Sequence, residues 1–428
     1  MRKILIPALS ILALAAACSD DSSGTNPGNN SITPPNAGNV MALVVDSGPT
    51  GSNGSPVGYV NGAFVTVTVC IPGTSNCQDI DHVLVDTGST GLRLLANDGK
   101  AGGKLNLDLP PQQDASGNAI AECAQFVDGF TWGPLKRADV RLAGEVASGI
   151  PIQVISEASL AVPSSCQSVG LDEDTLEGDS GLFANGILGV GVFIQDCGEA
   201  CAIDPTLPAF DNPGLYYSCF FGLCVQAGIE LASQVVNPVA MFAADNNGVI
   251  LELPAVADSG APSATGSLVF GIGTQPNNGL GNATVLPVDA TGQLVTIFPL
   301  DGTGYQGSFL DSGSNAIYFS SSSTTIAACS DSSESGFYCP ATAMSLSALI
   351  AGIYGSSEQV NFSVADAASL LATNNAAFGN LGGSGIGTST QQASTGFDWG
   401  MPFFLGRNVF TAIELAATPA GFGPYVAF

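Results

Sequence analysis

Only one histidine, His82, occurs in 428 residues, and 9 Lys and Arg stand against 36 Asp and Glu. A single imidazole excludes multi-histidine metal sites, and any histidine-dependent catalysis would have to use His82. The formal charge of −27 repels phosphate backbones and anionic membrane surfaces, which disfavours nucleic acid as a partner. The apolar run Ile4–Ala17 is too short for a lasting membrane span. Charged residues are only 11% of the chain, yet hydrophobic residues reach 45%, enough to bury a sizeable core and to exclude a wholly disordered chain. With 54 Gly and 25 Pro, the composition suits many short strands and turns better than a helical bundle. The length allows two or three domain-sized units, or one large bilobal one.

Arg2 and Lys3 precede the apolar run, and Ala15, Ala16 and Ala17 precede Cys18. This layout reads as a secretory signal over residues 1–17. The ending LAAAC resembles a bacterial lipoprotein signal, in which the Cys after the small residues is diacylated and becomes the new N-terminus. Ala15 stands where Leu is commoner. The resemblance implies lipidation at Cys18; an ordinary cleaved signal with a nearby free Cys is the alternative. Ser, Asp, Asn, Gly and Pro dominate up to Asn39, so residues 18–39 read as the lipidated Cys and a flexible tether. The expected location is the bacterial cell envelope, with a membrane-anchored lipoprotein facing the periplasm or the exterior. Without Arg2 and Lys3 the formal charge becomes −29.

Eleven Cys are an odd count for an exported protein. If Cys18 carries lipid, ten remain for five disulfides. Short spacings suggest Cys70–Cys77, Cys197–Cys201, Cys219–Cys224 and Cys329–Cys339, leaving Cys123 with Cys166. Cys197, Cys201, Cys219 and Cys224 can also cross-pair, or be read as zinc ligands. An oxidising compartment favours disulfides, and no metal or other cofactor is expected.

From Val40 onward the apolar residues come in short runs bounded by turn residues. AFVTVTVCI (63–71), HVLVD (82–86), IPIQVI (150–155), GVILELP (248–254), SLVFGIG (267–273) and LVTIFPL (294–300) read as strands. Short helical stretches are expected around 228–236, 341–354 and 364–373. An internal echo stands out. HVLVDTGS (82–89) runs apolar residues into Asp86-Thr87-Gly88-Ser89, and GSFLDSGS (307–314) does the same into Asp311-Ser312-Gly313-Ser314. Two apolar residues and a Gly follow each: Ile187-Leu188-Gly189, 103 residues after Asp86, and Phe404-Leu405-Gly406, 95 after Asp311. Glycine lets backbones approach closely, so each such triplet can pass beside its Asp turn. The repeated order indicates two homologous lobes, each donating one Asp.

On these motifs the chain resembles the pepsin-like aspartic peptidases, and is similar to bacterial lipoproteins carrying the same DTGS and DSGS pair. Asn185–Gly191 resembles that family's DGILGLG segment, Gly266–Gly271 its G-x-L-x-F-G strand, and Phe403–Phe410 its late I-L-G-D-x-F segment. The likeness covers about residues 40 to 428. It implies a mainly β, bilobal pepsin-like double β-barrel with few short helices. The N-terminal lobe would span residues 40–275 and the C-terminal lobe 276–428, dividing near Gly273–Gly281. It further implies that Asp86 and Asp311 are catalytic, that Thr87 and Ser312 lock the two turns together, and that Ser89 and Ser314 bond the outer carboxylate oxygens. Gly88 and Gly313 permit tight turns whose N–H groups face the carboxylates. A flap over the site is expected at Phe126, Asp128 and Gly129, with Phe126 where the family carries Tyr. Trp132 or Tyr59 could compensate, though such aromatics more often belong to the core or rim. Arg93 follows the first motif without the usual aromatic stretch; it could act on the carboxylate pair or serve a structural ion pair. No basic prosegment precedes the body.

Two carboxylates a few Å apart cannot both ionise cheaply, so they share a proton; one can deprotonate a water while the other polarises a carbonyl. The function expected is a lipid-anchored aspartic endopeptidase taking a peptide or protein substrate in an interlobe cleft, monomeric, touching the membrane through its anchor alone. The alternative is a catalytically weak or inactive pepsin-fold binding lipoprotein. Other motifs carry less. Asp46-Ser47-Gly48 lacks a later apolar-apolar-Gly partner and reads as a strand-end turn. Gly178-Asp179-Ser180-Gly181 resembles a serine-protease nucleophile segment, but its surroundings and those of His82 do not fit a triad. The acidic run from Asp172 to Asp179 could hold calcium, and reads more simply as a solvated loop.

Overall fold

The strand-forming segments fold into a mainly β architecture with two barrel-like sheet systems. The computed structural model describes residues 31–98, 102–127, 129–157, 160–168, 170–178, 181–204, 212–299, 302–320, 326–331, 334–384 and 396–428. The expected signal, Cys18, Asp128, Asp179 and Ser180 lie outside them. One sheet has sixteen strands and the other seven, and the described residues include four short α-helices.

Each half builds the same small unit around its Asp turn. In the first, Cys77–Asp86 runs parallel to Gly186–Val190, with Val85 opposite Leu188 and Asp86 opposite Gly189. Thr90–Leu95 returns antiparallel on the other side of Gly186–Val190. In the second, Thr303–Leu310 runs parallel to Gly396–Trp399 with Leu310 opposite Trp399, and Ile317–Phe319 lies antiparallel on the far side. A parallel partner cannot be reached by a hairpin. Each Asp turn is therefore held by a strand from much later in the chain.

The second unit lies in the seven-stranded sheet, while the sixteen-stranded sheet continues past the first unit into strands from late in the chain. Val40–Asp46 pairs with Ala264–Phe270, which pairs with Gly248–Glu252, followed by Asn408–Ala412, Tyr425–Ala427 and Val285–Pro287. Strands from both sides of residue 275 thus belong to the same sheet. Aromatic side chains fill the second unit: the Phe397 ring lies 4.8 Å from Phe319 and 4.5 Å from Trp399, both stacked. The Trp399 indole N–H donates to Thr296 Oγ1 at 2.9 Å, so its polar edge is satisfied inside the core.

Disulfides join Cys70 to Cys77, Cys123 to Cys166, Cys197 to Cys201, Cys219 to Cys224, and Cys329 to Cys339. These are the pairs that short spacing suggests, without cross-pairing. Among the described residues no helix is long and apolar enough to cross a membrane.

The chain departs from expectation in four places. Residues 341–354 are not helical: Met344–Ala351 is a strand paired along its whole length with Ser357–Val364. The tight turn at Gly355, with φ of 91°, allows this hairpin, and Ala348 and Ile350 bury one face of it. Around 228–236 only Leu231–Ser233 forms a 3-10 turn. Nearby backbone donors are taken by distant groups there: Ile229 N–H by the Cys201 carbonyl and Val235 N–H by the Tyr216 hydroxyl. The third stretch does hold a helix, Ala367–Leu371. The tether ends before residue 39, because Thr33 N–H donates to Glu252 and the Ser267 hydroxyl donates to the Thr33 carbonyl. Finally, Phe404-Leu405-Gly406 does not pass beside the second Asp turn. The strand against Leu310 is Gly396–Trp399, so Asp398-Trp399-Gly400 occupies the place that Ile187-Leu188-Gly189 holds in the first lobe. The triplet was hidden because its first member is a carboxylate rather than an apolar residue.

Candidate active site

The two Asp turns meet with approximate two-fold symmetry. The Thr87 hydroxyl donates to the Leu310 carbonyl at 2.9 Å and accepts from Ser312 N–H at 3.0 Å. In return the Ser312 hydroxyl donates to the Val85 carbonyl at 2.7 Å and accepts from Thr87 N–H at 3.1 Å. Both side chains are buried, so these four bonds work without competition from water.

Glycine is required immediately after each Asp-hydroxyl pair by close approach rather than by φ. A Cβ on Gly88 would stand 2.7 Å from Asp311 Cγ, and a Cβ on Gly313 would stand 2.8 Å from Asp86 Cγ. Each turn therefore lays its glycine against the carboxyl group of the other, which brings Asp86 and Asp311 face to face. Within each turn the glycine N–H donates to its own Asp, 2.8 Å in both cases. Ser89 Oγ donates to Asp86 Oδ2 at 2.5 Å and Ser314 Oγ to Asp311 Oδ2 at 3.1 Å. The strand behind each turn also needs glycine: a Cβ on Gly189 would meet Thr90 N at 2.6 Å, and one on Gly400 would meet the Ala316 carbonyl at 2.1 Å.

Both carboxyls lie on the floor of a cleft of about 1160 Å³. Asp86 is buried and Asp311 is partly exposed. Crowding of the Asp311 carboxyl by protein, then the charges of Asp86 and Asp398 and a hydrogen bond with Asp86, hold its pKa well above the carboxylate range. The Gly313 N–H opposes this. Asp398 is the residue sequence reasoning missed. It lines the same cleft at 3% exposure, and burial likewise holds its pKa well above the usual value, opposed by Ser314 and reinforced by Asp86. Its one sequence signal is an acid between aromatics two residues before a glycine, in FDWG (397–400).

The hairpin of Ala119–Gln125 and Gly129–Leu142 brings Phe126 and Val127 to the cleft, and Phe126 N–H donates to the Gly129 carbonyl across its tip. Asp128 lies outside the described residues. Tyr59 also lines the cleft, edge-on to Phe64, whereas Trp132 is buried and donates its indole N–H to the Leu160 carbonyl. Arg93 serves the base of the hairpin rather than the Asp pair. Its guanidinium donates to Glu122 at 2.6 Å, to Asp196 at 3.0 Å and to the Thr90 carbonyl at 2.7 Å. Burial works against the Arg93 charge, yet Glu122 and Asp196 hold it protonated above its ordinary value. Its guanidinium carbon lies 5.9 Å from the Phe126 ring, within cation–π range.

The remaining motifs fall elsewhere. His82 lies between Asp46, at 3.4 Å, and Asp81, at 2.8 Å; the bond to Asp46 leads the effects that raise its pKa. Gly48 N–H donates to Asp46 Oδ1, which makes Asp46-Ser47-Gly48 a strand-end turn. Glu177 in the acidic run accepts the Ser52 N–H. Asn61, not foreseen, ties the rim by donating to the Asn315 and Phe378 carbonyls.

A family model described as a protein of unknown function, DUF3443, matches residues 35–428. No curated protein matches the chain in sequence. Among solved structures, an aspartic proteinase from Irpex lacteus aligns over 91% of this chain and 96% of its own, with a TM-score of 0.45 and 13% identity.

The crossed bonds make a stability prediction. Ser312→Ala strands the Thr87 N–H and the Val85 carbonyl in a dry interface, so it lowers unfolding free energy by about 2–4 kcal/mol. Urea denaturation checks this; a loss below about 0.5 kcal/mol would mean that water or repacking satisfies both groups.

Proposed function

The chain belongs to the DUF3443 family, and we propose that this protein is an aspartic-type endopeptidase whose Asp86 and Asp311 activate a water against a peptide bond. The observation that carries this reading is reciprocal: Gly88 faces the Asp311 carboxyl and Gly313 faces the Asp86 carboxyl, with Thr87 and Ser312 bonded across the same interface. A turn that is merely architectural has no need for two facing acids, since Asn or Gly would fill it.

The chemistry follows from where the proton sits. The pair shares one proton, which we take to sit on Asp311, because burial and then the charges of Asp86 and Asp398 favour the neutral form of its carboxyl. Asp86 takes a proton from the water as its oxygen attacks the carbonyl carbon, while Asp311 donates its own to the carbonyl oxygen, giving a gem-diol. Asp86 then passes its proton to the amide nitrogen, the C–N bond breaks, and Asp311 recovers a proton from a gem-diol hydroxyl. Atoms and charge balance, and the pair returns with one proton. Titration belongs to the pair as a whole. The substrate is a peptide or protein segment laid in the cleft under the hairpin tip, and the working unit is a monomer.

Phe126 favours one competing reading. A phenyl ring excludes water as a flap residue must, but offers no hydroxyl, which suits a peptide-binding protein with slow or no turnover. Asp86→Asn and Asp311→Asn separate the two. Each is expected to reduce kcat/KM on an unstructured peptide by at least ~10³-fold, with wild-type cleavage pepstatin-sensitive and highest between about pH 3 and 6. Full activity in both variants would remove the mechanism, and loss on Ser180→Ala alone would point to a serine hydrolase.

Export and lipid anchoring at Cys18 are proposed with it. Disulfides, which form in oxidising compartments, support export to the envelope. Cys18→Ser is expected to move the protein from the membrane fraction to the soluble one; unchanged membrane association would discard the anchor.

A further inference from the structure

The fold adds to the cleft a carboxyl group that neither Asp turn supplies. Asp398 stands opposite Phe309 on one side and Tyr318 on the other, in the middle of the strand behind the second turn. Its counterpart in the first lobe is Ile187, which stands opposite Leu84. All four of Leu84, Ile187, Phe309 and Asp398 line the cleft. One wall therefore presents an aliphatic side chain where the other presents an acid.

That acid is poorly provided for as an anion. It is 3% exposed, its chain neighbours Phe397 and Trp399 are fully buried, and its Oδ1 has no hydrogen-bond partner. A buried carboxylate with an empty oxygen is costly, whereas the protonated acid is not. Ser314 stands near it, but the one hydrogen of the Ser314 hydroxyl is donated to Asp311. The first lobe differs here. Ser89 donates to Asp86 at 2.5 Å and has only apolar Ile187 at the matching strand position, while Ser314 lies 3.1 Å from Asp311 and has Asp398 there.

We propose that Asp398 is a third carboxyl group of the site, a positioning residue that acts on Asp311 by its charge from the strand behind the second turn and keeps one proton on the Asp86–Asp311 pair to higher pH than two carboxyls alone would. Its effect on turnover rests on the peptidase reading; its proton linkage does not. The groups facing Asp398 are Asp311 from the second turn, Asp86 from the first and Tyr318 from the antiparallel strand. The short helix Met401–Phe404 that follows contributes no ionisable side chain. No ion pair among the described residues reaches any of the three acids. While Asp398 is protonated it leaves the pair's charge undisturbed. Once ionised, it makes the pair's remaining proton harder to lose.

The sign for stability is fixed by direction. The folded pKa of Asp398 lies above its unfolded value. Its contribution is therefore full below the unfolded pKa and is lost as pH rises through the folded one. Removing the acid should flatten that loss.

Two neutral variants test this, Asp398→Asn and Asp398→Val, the second guarding against a buried, unsatisfied amide in the first. In pH profiles of kcat/KM the alkaline limb is expected to move toward acid while the acid limb stays. Activity at pH 6.5 relative to pH 4 should then fall roughly tenfold. In thermal unfolding, the drop in Tm between pH 4 and pH 7.5 should shrink by about 2 °C or more in both variants. If the wild type cleaves no peptide but the Tm difference shrinks, the peptidase reading fails and the three-acid cluster stands. A Tm difference unchanged from wild type in both variants overturns the cluster, and an unmoved alkaline limb overturns its role in turnover.

Discussion

Four hydrogen bonds between Thr87 and Ser312 and the backbone of the opposite turn join the two halves of this protein at their most polar point. Everything else in the cleft depends on that junction. It sets how closely the turns approach, and so requires Gly88 and Gly313, whose missing side chains leave room for the opposing carboxyls. It also buries the polar groups of both turns, so that the charge of each acid is felt by the other in a low-dielectric setting. The shared run of strands from Val40–Asp46 to Val285–Pro287 and the aromatic packing around Phe397 hold the halves in register.

Against this fixed floor, the roof is anchored by separate electrostatics. Glu122, on a strand of the hairpin, is paired with Arg93, which also holds Asp196, and the Tyr216 hydroxyl donates to Asp196 at 2.5 Å. Burying two acids and one guanidinium is expensive unless the geometry satisfies them. Here the network ties the hairpin to the strand after the first Asp turn, so the position of Phe126 at the cleft is coupled to that turn. The large acidic excess of the chain has a related consequence. Among the described residues no Lys, Arg or His lines the cleft, which favours protonated carboxyls there.

The mainly β class, both Asp turns and the strands leading into them could be read from the sequence, because a period of two and abrupt Asp-hydroxyl-Gly turns are local signals. The cysteine pairing was legible for the same reason: four of the five bridges close short loops. What could not be read was set by partners far along the chain. Residues 341–354 carry a helix-like composition, and only pairing with Ser357–Val364 makes them a strand. Phe404-Leu405-Gly406 matched the expected triplet by residue type, while the parallel strand chosen by the fold was Asp398-Trp399-Gly400. That substitution concealed the third acid. Arg93 could be assigned to no partner until Glu122 and Asp196 were brought beside it.

The central claim is that Asp86 and Asp311 form one unit around a single water position. A crystal structure with a statine-containing peptide tests it most directly. The expected result is the statine hydroxyl within hydrogen-bond reach of both carboxyls, the peptide extended along the cleft beneath Phe126. Carboxyls separated by more than one bridging water, or a peptide bound away from them, would contradict it.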